Sequence, residues 1–456
     1  MLKYFYIESY GCQMNLYDNE LIITILLNNN LKYVDNLYNA DLVLINTCSI
    51  RKKAEDTIYN RLLFLNFIRK KKKKFLLGLI GCMSKRIDYK YFFNKKLLDF
   101  IIGPDQYKKI PYIIKSLNDN RYSYNVLLSN DENYNDIVPT KLYNKNKISS
   151  YITISRGCDN MCTFCVVPFT RGREKNKSPK NIINECEKLY NLGYKEIILL
   201  GQNVDSYLWN KKSYIKKDII KNNNIKTINF ANLLEIISNK FPNIRFRFST
   251  SNPHDMSLEV IKIIKKYNNI CKYIHLPFQS GSNRILKLMK RKYNRIQYIN
   301  LIENIKNIIP DCSLSYDIIT GFCTETIKDH IDTLNLMKYV KFDFGYMFYY
   351  SHIKGTYAYK NYKDTVTINE KKIRLKEIIN LQRKHSYFNL KKYINTIQEV
   401  LIEGISKKNK NFWYGKNSQN IIIVFPKKNE NIGDLVKIKI INNTSATLIG
   451  RFKSFL

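Results

Sequence analysis

Residues 155–174 read SRGCDNMCTFCVVPFTRGRE, and the three cysteines in this stretch have the spacing C-x3-C-x2-C. Three thiolates this close together in a loop, Cys158, Cys162 and Cys165, can bind three corners of a cubane iron–sulfur cluster. No fourth cysteine lies nearby to bind the last corner. The sequence therefore predicts a 4Fe-4S cluster with one open iron, which the amino and carboxylate groups of S-adenosylmethionine (SAM) can chelate.

Two other metal sites fit this spacing less well. A structural zinc site needs a second pair of Cys or His ligands at short spacing, and no such pair follows Cys165. A ferredoxin-type cluster has equal gaps between its first cysteines and a fourth thiolate ligand. The open-iron cluster is the interpretation that uses only the ligands present.

The composition favours a polyanionic partner and disfavours a secreted or membrane-bound class. The chain has 456 residues and a formal charge of +38, from 76 Lys and Arg against 38 Asp and Glu, a balance that suits RNA. Abundant Lys, Asn, Ile and Tyr are also what an AT-biased genome produces, so charge alone does not establish binding. The sequence shows no secretory pattern and no apolar run of roughly 18 residues, which predicts a cytoplasmic protein without a membrane span.

Strand and helix patterns alternate through residues 1–118, which we expect to form a first domain. Apolar runs at 3–7, 42–45 and 75–80 each indicate a strand, and helical periodicity follows the first two. Alternation of this kind predicts an α/β fold with a doubly wound parallel sheet.

Three further cysteines follow these strands. Cys12, Cys48 and Cys82 each stand at or shortly after the end of a predicted strand, and so at the carboxyl edge where open α/β sheets bind ligands. The three thiols can converge there on a second metal centre without an obvious fourth ligand. The alternative is that each is a small buried apolar residue, as free cysteines often are.

The remaining chain predicts two more domains. Residues 144–375 repeat strand-then-helix units with polar segments at the strand ends, which indicates a partial parallel β/α barrel with its reactive face at the carboxyl end. Four short strands at 399–403, 421–424, 435–440 and 446–449 predict a small β-barrel over 388–453. Polar residues 118–147 indicate a connection between domains, and residues 209–229 indicate a surface insertion.

The cysteine-bearing segments resemble the radical-SAM methylthiotransferases. GCDN and FCVVPFTRGRE carry the resemblance around the first triad, and GCQMN, NTCSI with the following Arg51, and GCM around the second make it closest to the MiaB family. The resemblance implies two 4Fe-4S clusters, SAM, and a TRAM-type RNA-binding β-barrel. It implies transfer of a methylthio group to carbon 2 of N6-isopentenyladenosine at position 37 of tRNA.

The family resemblance also implies contacts and partners. It assigns Gly201, Gln202 and Asn203 to the SAM amino group and the backbone at Ile318 and Gly321 to its adenine, and the aromatic Phe164 fits the superfamily pattern. The implied partners are a tRNA anticodon stem-loop, an electron donor such as flavodoxin or ferredoxin, and a sulfur donor of unknown identity. The chain is expected to act as a monomer, with no protein acid or base in the chemistry.

Two segments depart from the family pattern. Residues 351–356, SHIKGT, lack the arginine of the family's S-x-R-x-G-T, and CTET at 323–326 replaces a common Pro-Gly-Glu-Thr. Lys354 supplies a charge but no planar fork for bidentate contacts.

Two other functions stay open: methylthiolation of a ribosomal protein, and a non-catalytic iron–sulfur protein that binds RNA. His275 and Gln279 are expected to be buried polar groups with hydrogen-bond partners.

Overall fold

The computed structural model describes residues 2–48, 52–71, 75–117, 122–129, 132, 134–142, 148–210 and 227–456. The last two residues of the NTCSI segment and Arg51 lie outside these ranges. So do most of the predicted insertion and several parts of the predicted connection.

The amino-terminal region is a parallel sheet of six strands in the order β2-β1-β3-β4-β5-β6. Its strands are β1 (Tyr4–Tyr10), β2 (Lys32–Tyr33), β3 (Leu42–Thr47), β4 (Leu76–Gly81), β5 (Phe100–Ile102) and β6 (Ser123–Asn125). Its helices are α1 (Gln13–Leu27), α2 (Lys52–Lys71), α3 (Tyr89–Asn94) and α4 (Ile110–Ser116), with short 3-10 turns at Leu37–Asn39, Cys82–Lys85 and Tyr107–Lys109.

Both faces of this sheet are covered. Leu42 and Leu44 pack into a core with α1 and α4, whereas Val43 and Ile45 pack into a second core with α2 and α3. Because successive side chains of a strand point to opposite faces, a strand covered on both sides is a continuous apolar run. The predicted doubly wound sheet is confirmed.

The central region is the predicted partial barrel. Two parallel sheets, in the orders β13-β10-β7 and β14-β15-β16, are joined by a parallel bridge between Phe246 and Ile270. The strands are β7 (Ser149–Thr153), β8 (Ser155–Arg156), β9 (Lys175–Asn176), β10 (Glu196–Leu200), β11 (Leu208–Trp209), β12 (Ile228–Asn229), β13 (Arg245–Phe248), β14 (Tyr273–His275), β15 (Ser313–Thr320) and β16 (Phe344–Tyr349). The helices are α5 (Val167–Arg171), α6 (Pro179–Asn191), α7 (Phe230–Lys240), α8 (Leu258–Lys266), α9 (Asn283–Leu288), α10 (Arg295–Ile308), α11 (Ile327–Val340), α12 (Tyr357–Asn361) and α13 (Ile368–Lys391).

The carboxyl-terminal region is a closed barrel in the order β17-β18-β19-β21-β20. Its strands are β17 (Ile397–Ile405), β18 (Phe412–Lys416), β19 (Ile422–Pro426), β20 (Leu435–Asn443) and β21 (Thr447–Phe455). The sequence analysis missed β18, whose aromatic residues Trp413 and Tyr414 follow a Lys- and Asn-rich run. Val436, Ile438 and Ile440 of β20 point into the barrel core, and Lys437 and Lys439 alternate with them, as expected.

Two smaller differences concern the predicted connection and insertion. Strand β6 lies within the predicted connection and pairs with β5 as an edge strand, because backbone hydrogen bonds hold a strand that has few apolar side chains. The described ends of the predicted insertion pair as β11 and β12. Among the described residues, no helix combines the length and the apolar character that a membrane crossing requires.

Candidate functional site at two cysteine triads

The amino-terminal triad lies at the carboxyl edge of the six-stranded sheet. The register pairs Tyr10 with Thr47 and Thr47 with Gly81, so the ends of β1, β3 and β4 lie side by side. Cys12, Cys48 and Cys82 follow these ends within two residues. Glycine at position 11 permits the close approach, since a Cβ there would lie 2.5 Å from the Cys48 Cβ.

Contacts among these thiols perturb their ionisation. A hydrogen bond with the Cys48 side chain, together with the charge of Arg171, outweighs the effect of burial and lowers the pKa of Cys12 to about 6. Burial raises the pKa of Cys82, which also senses the charge of Cys12. The Cys12 thiolate, the form that binds metals, is therefore favoured near neutral pH.

The second triad lies in a loop closed by a short hairpin. Strands β8 and β9 pair Ser155 with Asn176 and Arg156 with Lys175, and the Cys158 amide donates to the Gly172 carbonyl at 3.1 Å. The Val167 amide donates to the Cys165 sulfur at 3.4 Å. Cys158, Cys162 and Cys165 are all half-buried, and burial raises the pKa of Cys158 and of Cys165 to about 12.

Arg291 contacts this second triad, and the sequence analysis missed it. Its Nη1 donates to the Cys162 sulfur at 3.3 Å, and its Nε donates to the Tyr293 hydroxyl at 3.1 Å. The basic run Lys290–Lys292 around it does not differ from the chain's other basic runs, so no local signal distinguishes the residue that contacts a thiol.

Arg171 joins the two triads and was also missed. It ends α5, only six residues after Cys165, yet its Nε donates to the Cys82 sulfur of the other triad at 3.1 Å. Its Nη2 donates to the carboxylate of Asp18 on α1 at 2.8 Å, and Arg156 binds the second oxygen of that carboxylate at 2.7 Å. The cysteine loop of the central barrel is thus bound directly to the edge of the amino-terminal sheet.

These surroundings fit two anionic iron–sulfur clusters. A guanidinium group contacts one thiol of each triad, and the buried Nη1 of Arg171 has no hydrogen-bond partner among the described residues. A cluster sulfide or thiolate is an acceptor of the kind that this donor requires. Within the same residues, no three His, Cys, Asp or Glu side chains are close enough to bind one metal ion together. Cluster thiolates bind different iron atoms and need not meet at one point.

Models of three protein families match the chain. The radical SAM superfamily matches residues 152–337, uncharacterized protein family UPF0004 matches residues 4–103, and the TRAM domain matches residues 391–453. The tRNA-2-methylthio-N(6)-dimethylallyladenosine synthase of Karelsulcia muelleri (strain GWSS) is 56% identical over 98% of both chains. This chain belongs to that synthase family. The namesake from Christiangramia forsetii is 51% identical and covers 98% of this chain and 93% of its own.

Two solved structures have folds similar to that of this chain. TsrM from Kitasatospora setae, a radical SAM methyltransferase with cobalamin and a 4Fe-4S cluster bound, has a TM-score of 0.55 at 11% identity, covering 76% of this chain and 72% of that one. The cobalamin-dependent enzyme OxsB has a TM-score of 0.52 at 13% identity, covering 84% of this chain and 56% of that one. The expected α/β class, the radical-SAM enzyme class, and SAM and 4Fe-4S clusters as cofactors of the family are confirmed.

The predicted SAM contacts of the family lie at strand ends of the barrel. Gly201, Gln202 and Asn203 follow β10, and Ile318 and Gly321 lie at the end of β15. The Asn203 side chain donates to Asp255 at 2.7 Å, so its amide already has one protein partner. Phe164 packs beside the core of Phe322 and Tyr350. These assignments stay predictions.

The segment CTET at 323–326, which departs from the family pattern, has a structural role in the fold. Glu325 of CTET accepts hydrogen bonds from the Gly321 amide at 2.8 Å and from Arg374 at 2.9 Å, and so supports the turn after β15. His275 is buried and bonds the Ser315 hydroxyl at 2.8 Å, as expected. Gln279 is buried beside Ile318, with which its backbone forms a parallel bridge.

Proposed function

We propose that this chain transfers a methylthio group to carbon 2 of N6-isopentenyladenosine at position 37 of tRNA. The observation that carries the proposal is the contact of Arg171 with Cys82. Through it, the segment that follows the loop of Cys158, Cys162 and Cys165 contacts the triad of Cys12, Cys48 and Cys82, which supports a reaction that uses both triads. The match to the synthases over nearly the whole of both chains, at 51–56% identity, supports the same reaction.

The six cysteines are the proposed cluster ligands, three for each 4Fe-4S cluster. When bound, one cluster with SAM would supply a 5′-deoxyadenosyl radical by reductive cleavage. The other cluster would supply the methylated sulfur that is transferred. Arg171 and Arg291 place a positive charge beside one thiol of each triad, which complements the negative charge of a thiolate-bound cluster. Burial of Arg171, Asp18 and Arg156 keeps water from the junction between the triads.

The carboxyl-terminal barrel is the proposed binding surface for the tRNA anticodon stem-loop. Lys439 of β20 lies directly opposite Arg451 of β21, and both are exposed. Like charges opposite each other in a sheet are unfavourable by themselves, but a phosphate backbone that binds both relieves the repulsion.

The remaining partners are also proposals. Electrons come from flavodoxin or ferredoxin, which suits the positive charge of this chain, and the sulfur donor is a separate molecule. The enzyme works as a monomer in the cytoplasm, where thiols stay reduced and available to iron.

Mass spectrometry of tRNA nucleosides tests this function. A strain that lacks the gene is expected to accumulate N6-isopentenyladenosine without the 2-methylthio group, and this chain is expected to restore the group. An unchanged nucleoside profile together with an unmodified ribosomal protein in the deletion strain would transfer the assignment to the ribosomal-protein alternative. Loss of neither modification would favour the non-catalytic RNA-binding alternative.

A further inference from the structure

A cavity of about 570 Å3 lies where the amino-terminal sheet meets the end of the central barrel. Glu55 and Arg86 form its wall on the amino-terminal side, and residues that follow β16 form the opposite wall. Binding sites for small organic ligands have volumes of about 300–1,000 Å3. The cavity is therefore large enough for a nucleoside, and neither the cysteine triads nor the predicted SAM contacts line it.

The cavity lies between segments that are connected to the two triads. Glu55 is in the first turn of α2, shortly after Cys48, and Arg86 caps the 3-10 turn that begins at Cys82. On the other side, the lining residue Tyr350 shares a small core with Phe164, the neighbour of Cys165. The walls of the cavity thus belong to segments that lie close in sequence or in packing to both cysteine triads.

One wall of the cavity is aromatic and preorganised. The rings of His352 and Tyr359 lie 4.7 Å apart between centroids, and the Tyr350 hydroxyl bonds His352 Nδ1 at 3.2 Å, which fixes the imidazole orientation. Tyr359 is 41% exposed. An exposed aromatic ring on a rigid support is the means by which proteins bind an unstacked nucleic-acid base.

The rest of the wall combines apolar and cationic groups. Ile353, Val366 and Ile368 line one part of the cavity, and Ile368 is 51% exposed although it is apolar. Of the lining cations, Arg86 pairs with Glu55 at 2.9 Å and Lys371 with Asp364 at 2.6 Å. Lys354 forms no ion pair with any residue that the structure describes, so its charge is available to a phosphate.

We propose that this cavity receives the N6-isopentenyladenosine nucleotide of the RNA, with the base on Tyr359, the dimethylallyl group against Ile353 and Ile368, and a backbone phosphate on Lys354. The inference rests on the proposed function and adds the residues that select the modified base. The lysine of SHIKGT is then a point-charge contact to phosphate. Such a contact needs no planar fork.

Binding of RNA by the reconstituted holoenzyme without SAM tests the stacking contact. We expect Tyr359→Ala to weaken the affinity for a fluorescent anticodon stem-loop carrying N6-isopentenyladenosine by about tenfold or more, as one lost base–aromatic stack predicts. The control Tyr357→Ala, on the same helix, equally exposed and outside the cavity, is expected to bind like the unmodified protein. Equal affinities of the two variants would overturn the proposal, as would weaker SAM binding by Tyr359→Ala with unchanged RNA binding.

A second pair of variants tests recognition of the dimethylallyl group. Ile368→Ser is expected to reduce the preference for the isopentenylated over the unmodified stem-loop by at least about threefold, because apolar area is lost from the wall. Ile373→Ser on the same helix, 59% exposed and outside the cavity, is the matched control and is expected to keep the preference. An unchanged preference in both variants would contradict the assignment of this wall.

Failure of this inference is distinguishable from failure of the proposed function. If the chain methylthiolates tRNA but Tyr359→Ala and Ile368→Ser bind RNA normally, the function stands and the cavity assignment is wrong. If the variants bind RNA as expected but the unmodified protein never methylthiolates it, the cavity is an RNA site and the proposed reaction is wrong. All four positions are exposed, and none belongs to a buried hydrophobic core.

Discussion

The residue with the most consequential position is Arg171, because three different segments depend on one guanidinium. It is 1% exposed and pairs with Asp18, which is 0% exposed. Burial raises the pKa of Asp18, but the charges of Arg156 and Arg171 outweigh that effect and hold the pKa below its usual value. Removing one member of a buried charge group leaves the others without compensation, which typically costs about 3–5 kcal/mol.

We therefore expect Arg171→Met to lower the free energy of unfolding by about 3 kcal/mol or more and to reduce the iron retained at the Cys12, Cys48 and Cys82 site. Denaturant unfolding and iron analysis of anaerobically reconstituted protein measure the two effects. The control is Arg173→Met. Arg173 is 55% exposed in its side chain and lies 3.6 Å from Asp159, and an exposed pair contributes about 0–1 kcal/mol. Similar losses of stability in both variants would contradict the role assigned to Arg171.

At the residue scale, the sequence predicts which residues are candidate ligands but gives no signal for the groups that support them. Cysteines are rare and their chemistry is specific, so the spacing of Cys158, Cys162 and Cys165 was sufficient to predict a cluster. Arg171 and Arg291 are two of 76 Lys and Arg residues, and only the three-dimensional structure shows that they contact thiols.

The element that determines the second triad is the loop between β8 and β9. Gly157 enters this loop with φ of +78°, and a Cβ there would lie 2.1 Å from the Arg173 carbonyl oxygen. Both the backbone conformation and the close approach exclude a side chain. The path of the loop from Arg156 to Cys158 thus depends on glycine.

Gly157→Ala is expected to displace the loop, and so to remove iron from the second triad and abolish reductive cleavage of SAM. The matched control is Gly193→Ala, where φ is +83° but no atom lies within 4 Å of the added Cβ. That variant carries only the backbone strain of about 1 kcal/mol and is expected to cleave SAM normally. Normal SAM cleavage by Gly157→Ala would show that the loop tolerates the displacement.

At the element scale, the sequence predicts strands that bury apolar side chains and misses those that do not. Strands β1, β3 and β4 are apolar runs because helices cover both faces. Strand β6 is polar, and β16 is only half-buried without a regular alternation, so neither has the pattern on which prediction depends.

At the scale of the whole molecule, buried polar contacts join the three regions. Lys175 of the barrel binds Asp105 of the amino-terminal region at 2.9 Å, in addition to the pair of Arg156 with Asp18. Arg247 of the barrel donates to the Asn417 carbonyl of the carboxyl-terminal region at 2.6 Å. These contacts fix the two triads relative to each other and to the proposed RNA surface. Alternating patterns predicted each region separately, but contacts between distant segments leave no periodic signal in the sequence.

The two triads are proposed to perform different parts of one reaction, and the most direct test quantifies 5′-deoxyadenosine and methylthiolated tRNA in the same assay. Cys162→Ala is expected to form neither product, since the open-iron cluster loses a ligand. Cys48→Ala is expected to form 5′-deoxyadenosine without methylthiolated tRNA, because only the other triad is damaged. Normal methylthiolation by Cys48→Ala would contradict the role of the Cys12, Cys48 and Cys82 site, and absence of SAM cleavage in the unmodified protein would contradict catalysis altogether.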